Sequence, residues 1–484
     1  MLLPSHPRRT QGDTLGQDGD RTQPLSHSVA EHGAVDESSL GSSIPPHPLG
    51  IKPLGNKYFS TVGDARNSIG SLRGLPDEML MQLLEYLDPR TLRLLGYTCK
   101  FLFACCMSDD IWKTIFLESK LGKKPSFEWR GSWRATVLDL SPERRIQINC
   151  NAVFSDVLHR PFVCSHISLG HYTKNIPAIN HINRFDDLSY DEFAADWSKK
   201  PFILTKCIQA WPVTQSWSID SLLSKYADVV FRAEAVDWTF ATYCQYMRNS
   251  RDESPLYLFD RKFAEKMSLK VGKEEGAAYW RPDCFGPDLF ELLGAERPAH
   301  RWLIIGPERS GSTFHKDPNA TSAWNAVIQG AKYWDHVPAI GAGAWRRLAS
   351  CRSAGRASAG RGEILHVPSG WWHLVVNLED GIALTQNFVP ESHLGGVLSF
   401  LKDKADQVSG FEDEVSDAYS LFVARLREQR PDLLEEGLRQ LAEKKRRWDS
   451  VVADGDDSKD HPQKKSTGFS FGFGFGDEDD EEIP

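Results

Sequence analysis

The sequence predicts an α+β protein: a jelly roll or barrel of short strands with flanking helices, preceded by a small all-α unit. Three observations carry this. Apolar residues recur at helical spacing between positions 75 and 116, short β-branched and aromatic runs separated by helical stretches fill 182 to 389, and helical spacing returns from 394 to 448. Of the 484 residues 40% are hydrophobic, and 57 Lys and Arg stand against 66 Asp and Glu, a net charge of −9. That balance argues against a general nucleic-acid binder. No window approaches the roughly 20 consecutive apolar residues of a membrane helix, and the start, MLLPSHPRRT, meets Pro, His and Arg before a signal-peptide core can form. The nine cysteines are odd in number and include no CxxC pair, so reduced, mostly buried thiols are expected rather than a disulfide framework or a zinc module. The expected location is the nucleus and/or the cytoplasm.

Residues 1–70, rich in Ser, Gly, Pro, His and Asp, hold too few large apolar side chains to offset backbone entropy and are expected to be a disordered arm. The all-α unit, 71–120, opens at Leu75-Pro76-Asp77-Glu78. Pro lacks a donor that the first helical turn does not need, and the two acids oppose the helix dipole. Met79, Leu80, Leu83, Leu84 and Leu87 form a first stripe that Asp88-Pro89 ends. Leu92, Leu94, Leu95, Cys99, Leu102 and Phe103 form a second, and Ile111, Trp112, Ile115 and Phe116 a third. So small a unit needs a neighbour to cover its remaining apolar surface. Residues 121–181 read as a helical lead-in.

Within 182–390, Ser189 and Glu192 form a capping box for a helix to Trp197, and further helices are expected at Ser218–Tyr226, Trp238–Met247 and Asp288–Leu293. Strands are expected at Pro201–Thr205, Leu256–Phe259, Trp302–Ile305, Ala323–Ile328, Glu363–Val367, Leu374–Leu378 and Ile382–Gln386. Residues 391–448 are C-terminal helices, and 449–484, with Phe-Gly repeats and an acidic run, a disordered acidic tail.

One constellation carries chemistry. In Gly311-Ser312-Thr313-Phe314-His315-Lys316-Asp317, residues i and i+2 of a strand share a face, so His315 and Asp317 can meet one cation while Lys316 points away. His373, in Gly370-Trp371-Trp372-His373, offers a third donor. Two imidazoles and one carboxylate on one face of a metal leave positions open, the arrangement non-haem Fe(II) oxygenases use for a chelating co-substrate and O₂. His366 is expected to pack and His336 to have no partner, so neither is assigned a metal role.

The order Leu-Pro-Asp-Glu, Leu-Leu-Glu-Tyr-Leu-Asp-Pro, Cys-Lys and Asp-Asp-Ile-Trp-Lys resembles the F-box, which implies docking onto a Skp-type adaptor of a cullin ubiquitin ligase. The segments Gly306–Gly311, Thr321–Asn325, Gly330–Trp334, Gly370–His373 and Thr385–Phe388 resemble the JmjC family, nearest its arginine-demethylase and lysyl-hydroxylase group, over about 182–390. That resemblance implies a cupin-type double-stranded β-helix and a hydroxylase or demethylase of lysine or arginine side chains. Its protein substrate would be a histone or an RNA-processing protein. It implies Fe(II), 2-oxoglutarate and O₂, with His315, Asp317 and His373 as iron ligands and Lys332 on the far carboxylate of 2-oxoglutarate. Asn325, Thr385 and Ser312 would hydrogen-bond the co-substrate, and Tyr257 and Asn377 are further pocket residues. The alternative is a non-catalytic F-box adaptor that uses the barrel for recognition.

The resemblance breaks at 339–361, where 19 of 23 residues are Ala, Gly, Arg or Ser. This composition fits neither strand nor helix periodicity. It reads as a basic flexible loop or, the favoured reading, as missing barrel strands, which would leave the sheet beside His373 with an unpaired edge and put the activity of this chain in question.

Overall fold

The computed structural model describes residues 44–119, 121–141, 148–338, 355–412 and 415–454. The all-α unit holds four helices, α1 (Asp77–Glu85), α2 (Pro89–Gly96), α3 (Lys100–Cys106) and α4 (Asp109–Glu118). Asp88-Pro89 ends α1 and also starts α2. Asp88 accepts from the backbone N–H groups of Arg90 and Thr91, and Pro89 occupies the first turn. The second apolar stripe is therefore divided between α2 and α3.

Residues 44–70, expected in the disordered arm, are ordered. Ile51 and Ile69 are buried, the Ala65 N–H donates to the Ala152 carbonyl at 2.8 Å, and Arg66 pairs with Asp77. A segment that docks on an existing core needs only a few apolar residues, which composition alone does not register. Residues 1–43 lie outside the described residues.

The lead-in supplies α5 (Trp133–Val137) and α6 (Asp156–His166). Trp133 anchors an aromatic cluster that joins the helical unit to the strand region: its ring lies 5.2 Å from Phe116 of α4 and 5.5 Å from Tyr246. Its Nε1 donates to the Asp252 carboxylate at 2.9 Å. The neighbouring domain thus covers the apolar surface of α4, while Met79 and Leu83 of α1 and Leu94 of α2 stay exposed.

The strands are β1 (Asn183–Phe185), β2 (Phe202–Leu204), β3 (Val230–Ala233), β4 (Val236–Thr239), β5 (Leu258–Asp260), β6 (Arg301–Gly306), β7 (Gly311–His315), β8 (Ser322–Gln329), β9 (Ala331–Val337), β10 (Gly355–Gly360), β11 (Ile364–Val367), β12 (Trp372–Asn377) and β13 (Gly381–Phe388). Between them lie α7 (Ile219–Tyr226) and α8 (Phe240–Asn249). The helix expected from Trp238 starts at Phe240, because Val236 and Trp238 alternate into the core as β4.

A nine-stranded sheet runs β1-β2-β11-β8-β13-β6-β5-β3-β4 and a four-stranded one β10-β9-β12-β7. They face each other across one core, in which Ala323, Val327 and Leu365 of the large sheet meet Trp334, Ala357, Ala359 and Val375 of the small one. This is the expected jelly roll with flanking helices. Three of those, α9 (Leu394–Asp403), α10 (Ala418–Gln429) and α11 (Pro431–Asp454), pack a second core around Leu398, Phe422 and Leu426. Helix α11 runs past residue 448 into the expected tail, and 455–484 lie outside the described residues.

The reading of 339–361 as missing strands is corrected at its end. Residues 355–360 form β10, paired antiparallel with β9, and β12 is flanked on both sides by β9 and β7, so no edge is open beside His373. The composition misled because β10 is held by register and by an ion pair from Arg356 to Asp335, 3.0 Å, rather than by intrinsic strand preference. Residues 339–354 lie outside the described residues. Among those described, the cysteines are free thiols, and no helix is long and apolar enough to cross a membrane.

Candidate metal centre

Antiparallel pairing of β7 with β12 sets His315 opposite His373, ring centroids 4.1 Å apart. Asp317 is not on the strand as expected. β7 has ended, and Asp317 sits in extended backbone leading into a turn at Pro318–Ala320. The bend still brings its carboxylate round: one donor atom from each of His315, Asp317 and His373 lies within 4.8 Å of the others. Burial drives the His373 pKa down to about 4. It also lowers that of His315, helped by the neighbouring His373, and raises that of Asp317 against the pull of His315 and a hydrogen bond from Asn387. Asp317 Oδ2 is buried with no hydrogen-bond partner.

Lys332, on β9, is 1% exposed. Its Nζ donates to Tyr257 Oη at 2.6 Å and to Asn377 Oδ1 at 2.8 Å, and among the described residues it forms no ion pair. Desolvation pulls its pKa to about 7. Asn377 in turn donates to Ser310 Oγ at 2.9 Å, and its backbone carbonyl accepts from Arg309 N at 2.8 Å. Gly306 lies under this group, where a Cβ would run into Ser310, Tyr257 and Asn377. Asn325 of β8 and Thr385 of β13 are register partners on the opposite sheet. Asn325 Oδ1 is buried and unpaired, whereas the Thr385 hydroxyl already donates to the Trp324 carbonyl at 2.9 Å. Ser312 is half-buried in register with Val375.

The candidate residues therefore lie on the strands of the two sheets, in the turn after β7 or, for Tyr257, just before β5, and Tyr257 and Asn377 reach Lys332 directly. The sequence reading gave no role to Ser310, which steadies Asn377, or to Asn387, which braces Asp317 and donates to Thr321 Oγ1 at 2.9 Å. Both fall within the segments that resemble the JmjC family, but their partners are distant in sequence. His366 packs as expected, its ring 4.8 Å from Phe202 and 5.3 Å from Phe193. His336 is a different case: it is fully buried beside His373, ring centroids 5.8 Å apart.

The chain is 32% identical over 460 residues to "Arginine-specific demethylase JMJ22" of Arabidopsis thaliana, covering 86% of this chain and 89% of that protein. The chain belongs to the JmjC oxygenase family. It is also 32% identical over 307 residues to "Bifunctional arginine demethylase and lysyl-hydroxylase psr-1" of Caenorhabditis elegans, 54% of this chain and 72% of that protein. To "Lysine-specific demethylase JMJ21" of Arabidopsis thaliana it is 33% identical over 371 residues, 68% of this chain and 38% of that protein. A model described as F-box-like matches residues 72–118.

The cofactors of a JmjC oxygenase fit the residues present. A divalent cation matches two imidazoles kept neutral by burial and a carboxylate oxygen with no other partner. A dicarboxylate matches a buried ammonium that has only neutral acceptors.

Proposed function

We propose that this JmjC chain is an Fe(II)- and 2-oxoglutarate-dependent hydroxylase or demethylase of lysine or arginine side chains in proteins, carried by its F-box to a Skp-type adaptor of a cullin ligase. The observation that carries the catalytic reading is the convergence of His315, Asp317 and His373 in the same barrel as the buried Lys332, which has no counter-charge among the described residues.

Bound together, Fe(II), 2-oxoglutarate and O₂ supply the oxygen atom inserted into a C–H bond, with succinate and CO₂ as co-products; on an N-methyl carbon the hydroxylated product loses formaldehyde. The chain's residues position and shield. His315, Asp317 and His373 would hold the metal on one side and leave the other side free. Lys332, kept in place by Tyr257 and Asn377, would neutralise the far carboxylate of the co-substrate, and Asn325 and Ser312 would line its flank. Val375, Trp334 and Leu365 lie buried in the apolar core between the sheets and would help to exclude bulk water from the site.

The adaptor reading of the F-box is supported by its surface. Met79, Leu83 and Tyr86 fall on one face of α1 at i, i+4 and i+7 and are 50%, 50% and 87% exposed, with Leu94 and Tyr97 exposed nearby. The free thiols suit a reducing compartment, the nucleus or cytoplasm.

Aerobic conversion of 2-oxoglutarate to succinate by iron-loaded protein, with histone-tail or splicing-factor peptides, tests the catalytic reading. Wild type should turn over and His315→Ala should not; equal rates from the two, or none from wild type, would remove it. Capture of a Skp-type adaptor should be lost on Met79→Ala plus Leu83→Ala, and absence of capture by wild type would remove the ligase link.

A further inference from the structure

His336 lies in a row of three imidazoles. In the four-stranded sheet, β9 pairs with β12 so that His336 stands opposite His373, and β12 pairs with β7 so that His373 stands opposite His315. Direct partners in an antiparallel ladder project to the same face, so all three rings point into the barrel. His336 is 0% exposed, its ring stacks on Trp334 at 5.6 Å, and its ring nitrogens make no hydrogen bond of good geometry among the described residues, only a weak contact with the backbone of Gly355. Its register partner on the other side is Gly355, which has no side chain to offer. Trp334 Nε1, two residues earlier on the same face, is also buried and unpaired, as are Asn325 Oδ1 and Asp317 Oδ2. Leaving a buried polar group poorly paired is costly, and these groups belong to the two sheets, and to the turn after β7, that carry the metal triad and Lys332. His336 is not one of the three donors that converge on the metal position.

We propose that His336 is a positioning residue for the co-substrate, its ring N–H donating to the metal-proximal carboxylate of 2-oxoglutarate. This rests on the reading of the site as a 2-oxoglutarate pocket. Lys332 and His336 occupy the same face of β9, four residues or about 13 Å apart along the strand, which a lysine stem and a five-carbon diacid laid end to end can span. One end of the diacid then meets the Lys332 ammonium. The other arrives at the level of His373, where the row of imidazoles begins. The placement also explains why an imidazole is kept in a wall otherwise lined by Trp334, Val375 and small β10 residues.

The test uses full-length protein loaded with Mn(II) under anaerobic conditions, titrated with 2-oxoglutarate by calorimetry, with free Mn(II) followed by electron paramagnetic resonance. His336→Leu should weaken 2-oxoglutarate binding about tenfold while Mn(II) affinity stays unchanged, and His336→Gln, which restores a donor, should recover part of the loss. Without 2-oxoglutarate, His336→Leu should melt higher than wild type, because a poorly satisfied buried imidazole leaves an apolar wall, yet gain less from added 2-oxoglutarate. A purely structural histidine would give the opposite melting order. Unchanged 2-oxoglutarate affinity in His336→Leu, or loss of Mn(II) binding with it, overturns the proposal. Failure of wild type itself to bind 2-oxoglutarate overturns the co-substrate reading instead, and the two failures are separate.

Discussion

Lys332 is buried with no counter-charge among the described residues. Burial lowers its pKa to about 7, so from there up to the ordinary lysine range the unfolded chain keeps a proton that the folded chain has lost, and stability rises with pH across that window. Below about pH 7 both states are charged and the folded one bears the whole desolvation cost. Lys332→Met keeps the stem and removes the charge. We expect it to melt above ligand-free wild type at about pH 6.5, the gap closing towards about pH 9.5, while 2-oxoglutarate no longer raises its melting temperature; a gap independent of pH would refute the assignment. Asn387 acts at the other end of the site by bracing Asp317. Asn387→Ala should weaken Mn(II) binding about tenfold with the fold intact by circular dichroism, the usual scale for losing a partner of a metal ligand.

Among the elements, the β7–β12 pair sets the geometry of the candidate metal site, and Gly311 is the residue that lets it form. A Cβ at Gly311 would run into the Val375 carbonyl oxygen on β12. Gly311→Ala must therefore push the strands apart a few residues from the point where His315 faces His373. We expect about 2–4 kcal/mol loss of stability by urea unfolding, with metal affinity falling alongside; a variant as stable as wild type would show that the contact relaxes freely. The strand pair β9–β10 carries the complementary lesson. Gly355–Gly360 has the composition of a loop, yet Ala357 and Ala359 lie opposite Trp334 and Lys332, where larger side chains would fill the cavity. Small residues are poor strand formers but suit this position, so pairing with β9 overrides propensity.

At the scale of the whole molecule, the F-box and the barrel share one core. Trp133 touches Phe116 of the helical unit and Tyr246 of the strand region, and the guanidinium of Arg309, in the loop beside Ser310, donates to Cys164 and Ile167 carbonyls at the end of α6. Trp133→Ala should cost about 3–5 kcal/mol and lower the denaturation midpoint of helical and barrel probes together; separate transitions, with only the helical probe shifted, would show two independent domains. Local pattern determined much of this protein: the helical stripes of the F-box, the strand runs on either side of His315 and His373, and the placing of His315 and Asp317 where they could share a cation, whereas Lys332 was legible only through the JmjC resemblance. Periodicity reports which face an apolar residue takes, and that is a local property. Tertiary structure alone decided that Asp317 meets His315 and His373 from a bend rather than a strand, that β10 forms, that residues 44–70 are ordered, and that His336 enters the row of imidazoles. Each of these depends on which strand or core lies alongside, and cross-strand register between segments far apart in sequence leaves no trace in the spacing of either one.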